Sequence, residues 1–138
     1  MEITTKIAVV TDDGERISDH FGRAMFYQVF SVVNGKIAGS EMRNRRGTLH
    51  HGKEHDHHDH GGGDHQHGFQ QGAADRHSAM IGQIMDVSLL ITRGMGRGAY
   101  AALAEAGIQT AATNLTGTEE AVQAFLAGTL TVEEGRIH

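Results

Sequence analysis

Cysteine and proline are both absent from the 138 residues. Without thiolates the chain cannot form disulfides, zinc–thiolate sites or iron–sulfur clusters held by its own cysteines. Any metal must be held by imidazole, carboxylate, backbone oxygen or thioether. Without proline, turns and helix ends depend on Gly, Asn, Asp and Thr. Basic surface is scarce as well. Twelve Lys and Arg against 17 Asp and Glu give a net charge of −5, and no basic stripe follows any segment, so no nucleic-acid partner is expected. No apolar run approaches the ~20 residues that span a bilayer, so no membrane partner is expected either. Met1–Lys6 has no signal-peptide shape, which predicts a cytoplasmic protein. Hydrophobic residues make up 38% of the chain, low beside the roughly 45–50% typical when glycine is counted. The deficit is concentrated in residues 44–72, and the length of the chain suits a single domain.

Outside that stretch the patterning is that of an α/β domain. Ile3–Val10 reads as a strand with a buried centre at Ile7-Ala8-Val9-Val10, broken by the turn residues Thr11-Asp12-Asp13-Gly14. Phe26–Val33 is a second strand, and Asn34-Gly35 is a two-residue hairpin turn that returns Lys36 to about Arg43 as a third. Ala73–Met85 carries apolar residues at helical spacing, with Met80 and Met85 expected in the core. Val87–Thr92 reads as a strand buried on both faces. Arg93–Gly98 is a glycine-rich turn, followed by a helix over Ala99–Ala106 stopped by Gly107. Ile108–Ala112 is a fifth strand. Thr116 or Thr118 is expected to cap a last helix through Phe125 and Leu126, leaving a tail ordered by Leu130 and Val132. Hairpins make strands one to three antiparallel, and helical crossovers make strands one, four and five parallel. The expected architecture is a mixed five-stranded sheet in the order 3-2-1-4-5 with helices on its faces. Ligands in such sheets collect beyond the carboxyl ends of strands where the chain switches sides. Loops 11–23 and 93–98 are expected to meet there.

Eight of the eleven histidines, His50, His51, His55, His57, His58, His60, His65 and His67, fall in one short tract with Glu54, Asp56, Asp59 and Asp64. Neutral imidazole is the commonest ligand of borderline metals, and adjacent carboxylates can complete a site or orient a ring. The tract is therefore expected to bind a divalent transition metal such as Zn or Ni, with selectivity following the Irving–Williams order. It is read as a flexible insertion at about 44–72 in one domain spanning 1–138, because so few apolar groups cannot offset the entropy of ordering.

The run Lys6–Asp12, continued by Ile17-Ser18-Asp19-His20-Phe21-Gly22-Arg23-Ala24, resembles the amino-terminal signature of the dinitrogenase iron–molybdenum cofactor biosynthesis family, which includes NifX, NafY and the carboxy-terminal domain of some NifB proteins. The strand Phe26–Val33 with its Asn34-Gly35 turn and the later Gly94-Met95-Gly96-Arg97-Gly98-Ala99 support the likeness, which covers nearly everything except 44–72. The resemblance implies a ribonuclease-H-like fold, the binding of an iron–sulfur or iron–molybdenum cluster precursor, and metallocluster donor and acceptor proteins as partners. A preassembled cluster brings its own sulfides and is anionic. One imidazole, His20, would supply a reversible bond to it. Backbone N–H groups of 94–98 at a helix start offer anion-binding donors. Arg23, Arg93 and Arg97 would add charge-assisted hydrogen bonds, Gly94, Gly96 and Gly98 would permit close backbone approach, and Met95 could be a soft contact. His20 could instead shape its loop by hydrogen-bonding a carbonyl. Phe21 reads as core, and His77 and His138 as surface.

Two other classes stay open. The chain could be a transition-metal chaperone or buffer (Zn, Ni, Co) in which the tract is the working part. A Mg-dependent nuclease using Asp12, Asp13, Asp19 and Asp86 is disfavoured, since Asp12-Asp13-Gly14 reads as a turn, Asp86 precedes its strand, and no nucleophile–base pair is present; a carrier rather than an enzyme is expected. Because metal binding by the tract requires neutral imidazole, Zn²⁺ should bind more tightly at about pH 7.5 than at about pH 5.5, on either side of histidine's ordinary pKa near 6.5. Equal affinities in calorimetric titrations at the two pH values would assign the binding to carboxylates instead.

Overall fold

Thr4–Thr11 forms β1, and its residues Ile7 to Val10 are wholly buried. That burial follows from position, because neighbours flank β1 on both sides. The computed structural model describes residues 3–45 and 79–138 and orders the strands β3-β2-β1-β4-β5. β2 (Phe26–Val33) pairs antiparallel with β1, placing Ile7 opposite Phe30 and Thr11 opposite Phe26. β3 (Lys36–Asn44) returns antiparallel to β2. Asn34 and Gly35 both have positive φ, 52° and 82°, as a tight hairpin turn of this composition requires. β4 (Leu89–Thr92) pairs parallel with β1, and β5 (Gln109–Ala112) parallel with β4. The expected α/β architecture and strand order are thus present.

Helix α1 (Arg97–Glu105) crosses from β4 to β5 and lies against β5, while α2 (Thr118–Ala127) follows β5 and lies against β1. Residues 79–82 are helical and meet the sheet where the Tyr27 hydroxyl donates to the Met80 carbonyl at 3.0 Å. Burial pushes the Tyr27 phenol up to about 12, so it stays a donor. The core joins both sheet faces through Ile7, Val9, Leu90, Ile91, Ile84, Leu103 and Val122.

Several details differ from expectation. Met85, expected in the core, is 60% exposed. The helix ends at 82 and gives way to tightened turns, with Ile84 N–H donating to Ile81 and Val87 N–H to Ile84; these direct Ile84 inward and Met85 out. The N-cap of α2 is Gly117, not Thr116 or Thr118. The Thr118 hydroxyl is turned to the Gly14 carbonyl at 3.4 Å, and Glu120 Oε1 accepts the Gly117 N–H at 3.3 Å. The tail is ordered in part by Leu130, which packs on the core, but Val132 is exposed. Backbone bonds do the rest: Glu133 N–H donates to Ala112 at 2.7 Å, and a short 3₁₀ turn, Glu134–Arg136, leads into a bridge between Ile137 and Met95.

Asn44 and Arg45, assigned by sequence to the edge of the insertion, belong to the body of the fold. Asn44 ends β3 and Arg45 is 1% exposed. The Arg45 guanidinium lies 4.6 Å from the centroids of both the Phe21 and Tyr27 rings. It donates to the Phe21 carbonyl at 2.6 Å and to the Met80 sulfur at 3.1 Å. Burial shifts its pKa downward, yet a guanidinium remains charged in proteins, and the two ring faces offset part of its lost hydration.

At the far end of the sheet from the β1 and β4 exit loops, Asp86 receives two hydrogen bonds from Arg43, each 2.8 Å, and one from Lys6 at 3.2 Å. The Arg43 bonds, before any other cause, hold the Asp86 carboxyl far below the usual carboxylate range. Its side chain is 45% exposed, so solvent screening limits the contribution to about 0.5–1 kcal/mol. A folded pKa below the unfolded value near 3.9 means that this stability is present above about pH 4 and is lost as pH falls through the depressed folded value. Asp86→Asn should therefore lower the denaturation free energy by about 0.5–1 kcal/mol at pH 7 and by progressively less as pH falls below about 4. A pH-independent loss in urea melts would assign the effect to packing.

Candidate functional site

Because β1, β4 and β5 run parallel, the loops leaving their carboxyl ends emerge at one edge of the sheet. The loop after β1 is fastened before it reaches that edge. Thr11 Oγ donates to the Arg16 carbonyl at 2.5 Å and accepts the Gly14 N–H at 3.0 Å. Asp13 Oδ1 accepts the N–H groups of Glu15 and Arg16, both at 2.9 Å, and the Arg16 and Glu15 bonds hold its carboxyl below the ordinary value. Ile17 N–H donates to Thr116 at 2.7 Å and Thr118 N–H to Glu15 at 3.0 Å, which ties this loop to the one after β5.

The loop then turns toward β4. Ser18 N–H donates back to Val10 at 2.8 Å, and the Ser18 hydroxyl donates to the His20 carbonyl at 3.2 Å. His20 is the exposed N-cap of a 3₁₀ turn, Phe21–Arg23, whose Phe21 ring is buried. The Phe21 N–H donates to the Gly94 carbonyl at 3.0 Å, and Arg93 is ion-paired with Asp19. The two loops expected to meet do meet, at Gly94. Among the described residues the His20 imidazole makes no hydrogen bond. Ser18 and the backbone shape the turn.

After β4, Thr92 Oγ donates to the Gly94 carbonyl at 2.9 Å and closes a small turn. A Cβ on Gly94 would sit 2.9 Å from the Asp19 carbonyl oxygen, so only glycine fits without moving backbone. Gly94 is buried. It serves the packing of two loops, not the close approach of a ligand expected from sequence. Met95 is corrected as well: at 2% exposure it is part of the core, and its sulfur is not a surface contact. Gly96, Arg97 and Gly98 are exposed. Gly96 is the N-cap of α1, in extended conformation (φ −77°, ψ 157°) with no side chain to cap the first turn. The first N–H groups of α1 thus face the edge with the positive end of the helix dipole. Arg23 and Arg97 are exposed nearby in sequence, while Arg93 is already engaged by Asp19.

The carboxylates considered for Mg²⁺ do not converge. Asp12 accepts the Met25 N–H at 2.9 Å, Asp13 closes its turn, Asp19 pairs with Arg93, and Asp86 lies at the opposite end. Among the described residues no three His, Asp or Glu side chains are grouped to hold a metal ion. His50, His51, His55, His57, His58, His60, His65, His67 and His77 lie outside the described residues. An open cavity of about 300 Å³ between β5 and the end of α2 is lined by Ala111, Phe125, Leu130 and Val132, with no ionisable group, and takes no part in this edge. Among the described residues, no helix is long and apolar enough to cross a membrane.

Sequence reasoning missed where the tail docks. Met95 N–H donates to the Arg136 carbonyl at 3.1 Å, His138 N–H to the Met95 carbonyl at 2.9 Å, and Arg136 Nη1 to the Arg93 carbonyl at 3.3 Å. These bonds lay residues 136–138 beside the glycine turn. The one hint in the sequence was Ile137, an apolar residue in an otherwise polar end.

Comparison with known proteins places this geometry. The chain is 29% identical over 127 residues to an uncharacterized protein of Methanocaldococcus jannaschii, covering 91% of this chain and 88% of that one. The apo form of the orange protein from Desulfovibrio gigas superposes with a TM-score of 0.60 at 21% identity, over 94% of this chain and 93% of that one. A provisionally assigned NifB protein from Thermotoga superposes with a TM-score of 0.56 at 16% identity, over 93% and 92%. These superpositions establish a shared fold. Residues 4–128 match the family described as dinitrogenase iron-molybdenum cofactor, and the chain belongs to that family.

Proposed function

We propose that this protein is a carrier, not an enzyme, which binds an anionic iron–sulfur or iron–molybdenum cofactor precursor at the strand-end edge and passes it between metallocluster donor and acceptor proteins. The observation that carries the reading is the juxtaposition at Gly94. It brings the loop bearing the unbonded imidazole of His20 against the turn that opens α1, whose first N–H groups no side chain caps. His20 supplies one nitrogen to an exposed metal. The N–H groups of 97–99, the helix dipole and the exposed Arg23 and Arg97 stabilise the anionic cargo. Arg93 holds Asp19 in place, so its charge is spent locally. A site with one protein ligand and several weak electrostatic donors suits a molecule that must release what it binds. Family membership supports a role connected with the iron–molybdenum cofactor.

A second reading is favoured by composition: eight histidines between 50 and 67 make a transition-metal chaperone or buffer (Zn, Ni, Co), or an accessory ion store beside the carrier site. Anaerobic titration with an iron–sulfur cluster, followed by visible absorption, separates the readings. The carrier reading expects His20→Ala to weaken cluster binding while leaving most Zn²⁺ capacity. Replacing the eight tract histidines by Asn should abolish Zn²⁺ capacity and spare the cluster. Should His20→Ala bind as tightly as wild type while the tract variant loses the cluster, the edge is not the site.

The uncapped helix start gives an independent check. Gly96→Asp adds a side-chain cap and a negative charge, so stability should rise by a few tenths of a kcal/mol while cluster affinity falls. A variant that is more stable and binds the cluster undiminished would remove α1 from the site.

A further inference from the structure

We infer that His138 supplies a second imidazole to the cargo site, so that the cluster is held between two histidines, His20 on the loop after β1 and His138 on the docked tail. The inference rests on the carrier reading and adds to it a ligand that lies outside the segment matched to the family, 4–128.

The argument starts from Gly94. The position its absent Cβ would occupy is 2.9 Å from the Asp19 carbonyl oxygen and 4.0 Å from Cε1 of His138. The peptide that leads into His20 and the ring of His138 therefore lie next to one point on the glycine turn. The tail is fixed there by a β-bridge between Met95 and Ile137, flanked by the Met95-to-Arg136 bond of 3.1 Å and the His138-to-Met95 bond of 2.9 Å. Arg136 adds a bond to the Arg93 carbonyl at 3.3 Å and a 2.6 Å ion pair with Glu133. His138 is exposed, and among the described residues its imidazole, like that of His20, makes no hydrogen bond. The His138 ring thus borders the turn that opens the uncapped helix α1, and the loop carrying His20 is hydrogen-bonded to the same turn. On the loop after β1, Asp12, Asp13 and Asp19 are each engaged, and Glu15 is the remaining carboxylate. Two imidazole nitrogens suit an anionic cluster that provides its own sulfides. They would be too few to hold a bare divalent ion tightly, consistent with the lack of a three-ligand group among the described residues.

Binding is a ligand exchange. The lone pair of each neutral imidazole forms a bond to an exposed iron as one labile thiolate leaves it, and no electron is transferred. With two anchors on separate segments, loss of either should weaken binding by at least the roughly tenfold cost usual for losing even an outer partner of a metal ligand.

The test uses the full chain and a synthetic [4Fe–4S] cluster with labile thiolates, added anaerobically and reduced to its paramagnetic state. Pulsed EPR reads the nitrogens bound to iron, with ¹⁵N-histidine labelling to identify them as imidazole. Wild type should show two inequivalent couplings. His20→Ala should lose one, His138→Ala the other, and the variant with the eight tract histidines replaced by Asn should keep both. If His138→Ala keeps the wild-type spectrum and affinity while His20→Ala loses its nitrogen, the second ligand is wrong and the carrier site stands. If the tract variant loses the couplings while both single variants keep them, the edge site and the second ligand fall together.

Discussion

The parallel pairing of β1 with β4 is the constraint on which the rest of this molecule depends. Only Ile7–Leu89, Ala8–Leu90 and Val9–Ile91 are in register, yet this short ladder joins an antiparallel hairpin half to a parallel crossover half. Were the two strands antiparallel, the loop after β1 and the loop after β4 would leave from opposite ends of the sheet. Because they are parallel, both loops leave together, and the Phe21-to-Gly94 hydrogen bond, the Arg93–Asp19 ion pair and the close approach of the Asp19 carbonyl to Gly94 fix their spacing. Six of the six paired residues are buried, so the ladder is protected from water on both faces.

The distribution of charge at that edge follows from how the arginines are used. Arg45 is taken into the core between two aromatic rings, Arg93 is matched by Asp19, and Arg136 by Glu133. Arg23 and Arg97, which have no ion pair among the described residues, remain exposed on the two loops proposed to face the cargo. In the proposed carrier, exposed arginines, a helix amino terminus and imidazoles attract a polyanion without gripping it, since each contribution is modest in water.

Much of the framework was legible in the sequence because it is encoded locally. A run such as Ile7–Val10 or Leu89–Ile91 has few alternatives to a buried strand, and Asn34-Gly35 names its own turn. Crossover handedness and hairpin pairing then leave few strand orders. The meeting of loops 11–23 and 93–98 followed from that order alone. What escaped reading depends on partners distant in sequence. Arg45 looks like part of a polar insertion, and nothing local announces that Phe21 and Tyr27 will receive it. Met85 satisfies helical periodicity, but the helix has already ended. Gly94 and Met95 were read as ligand contacts because glycine-rich turns before helices often are; here one is a packing position and the other a core residue. The tail is held chiefly by backbone hydrogen bonds, which carry almost no side-chain signature.

Arg45 has a consequence for how this fold tolerates change. Its guanidinium touches Met80, so the chain on either side of residues 46–78 is pinned to one spot on the core. Arg45 and Met80, described residues on the two sides of that segment, thus form one clamp. Joining two points of a chain costs only about 0.6 kcal/mol more for each doubling of the length between them, so a clamp of this kind holds the sheet's geometry largely independently of how much chain separates its two halves.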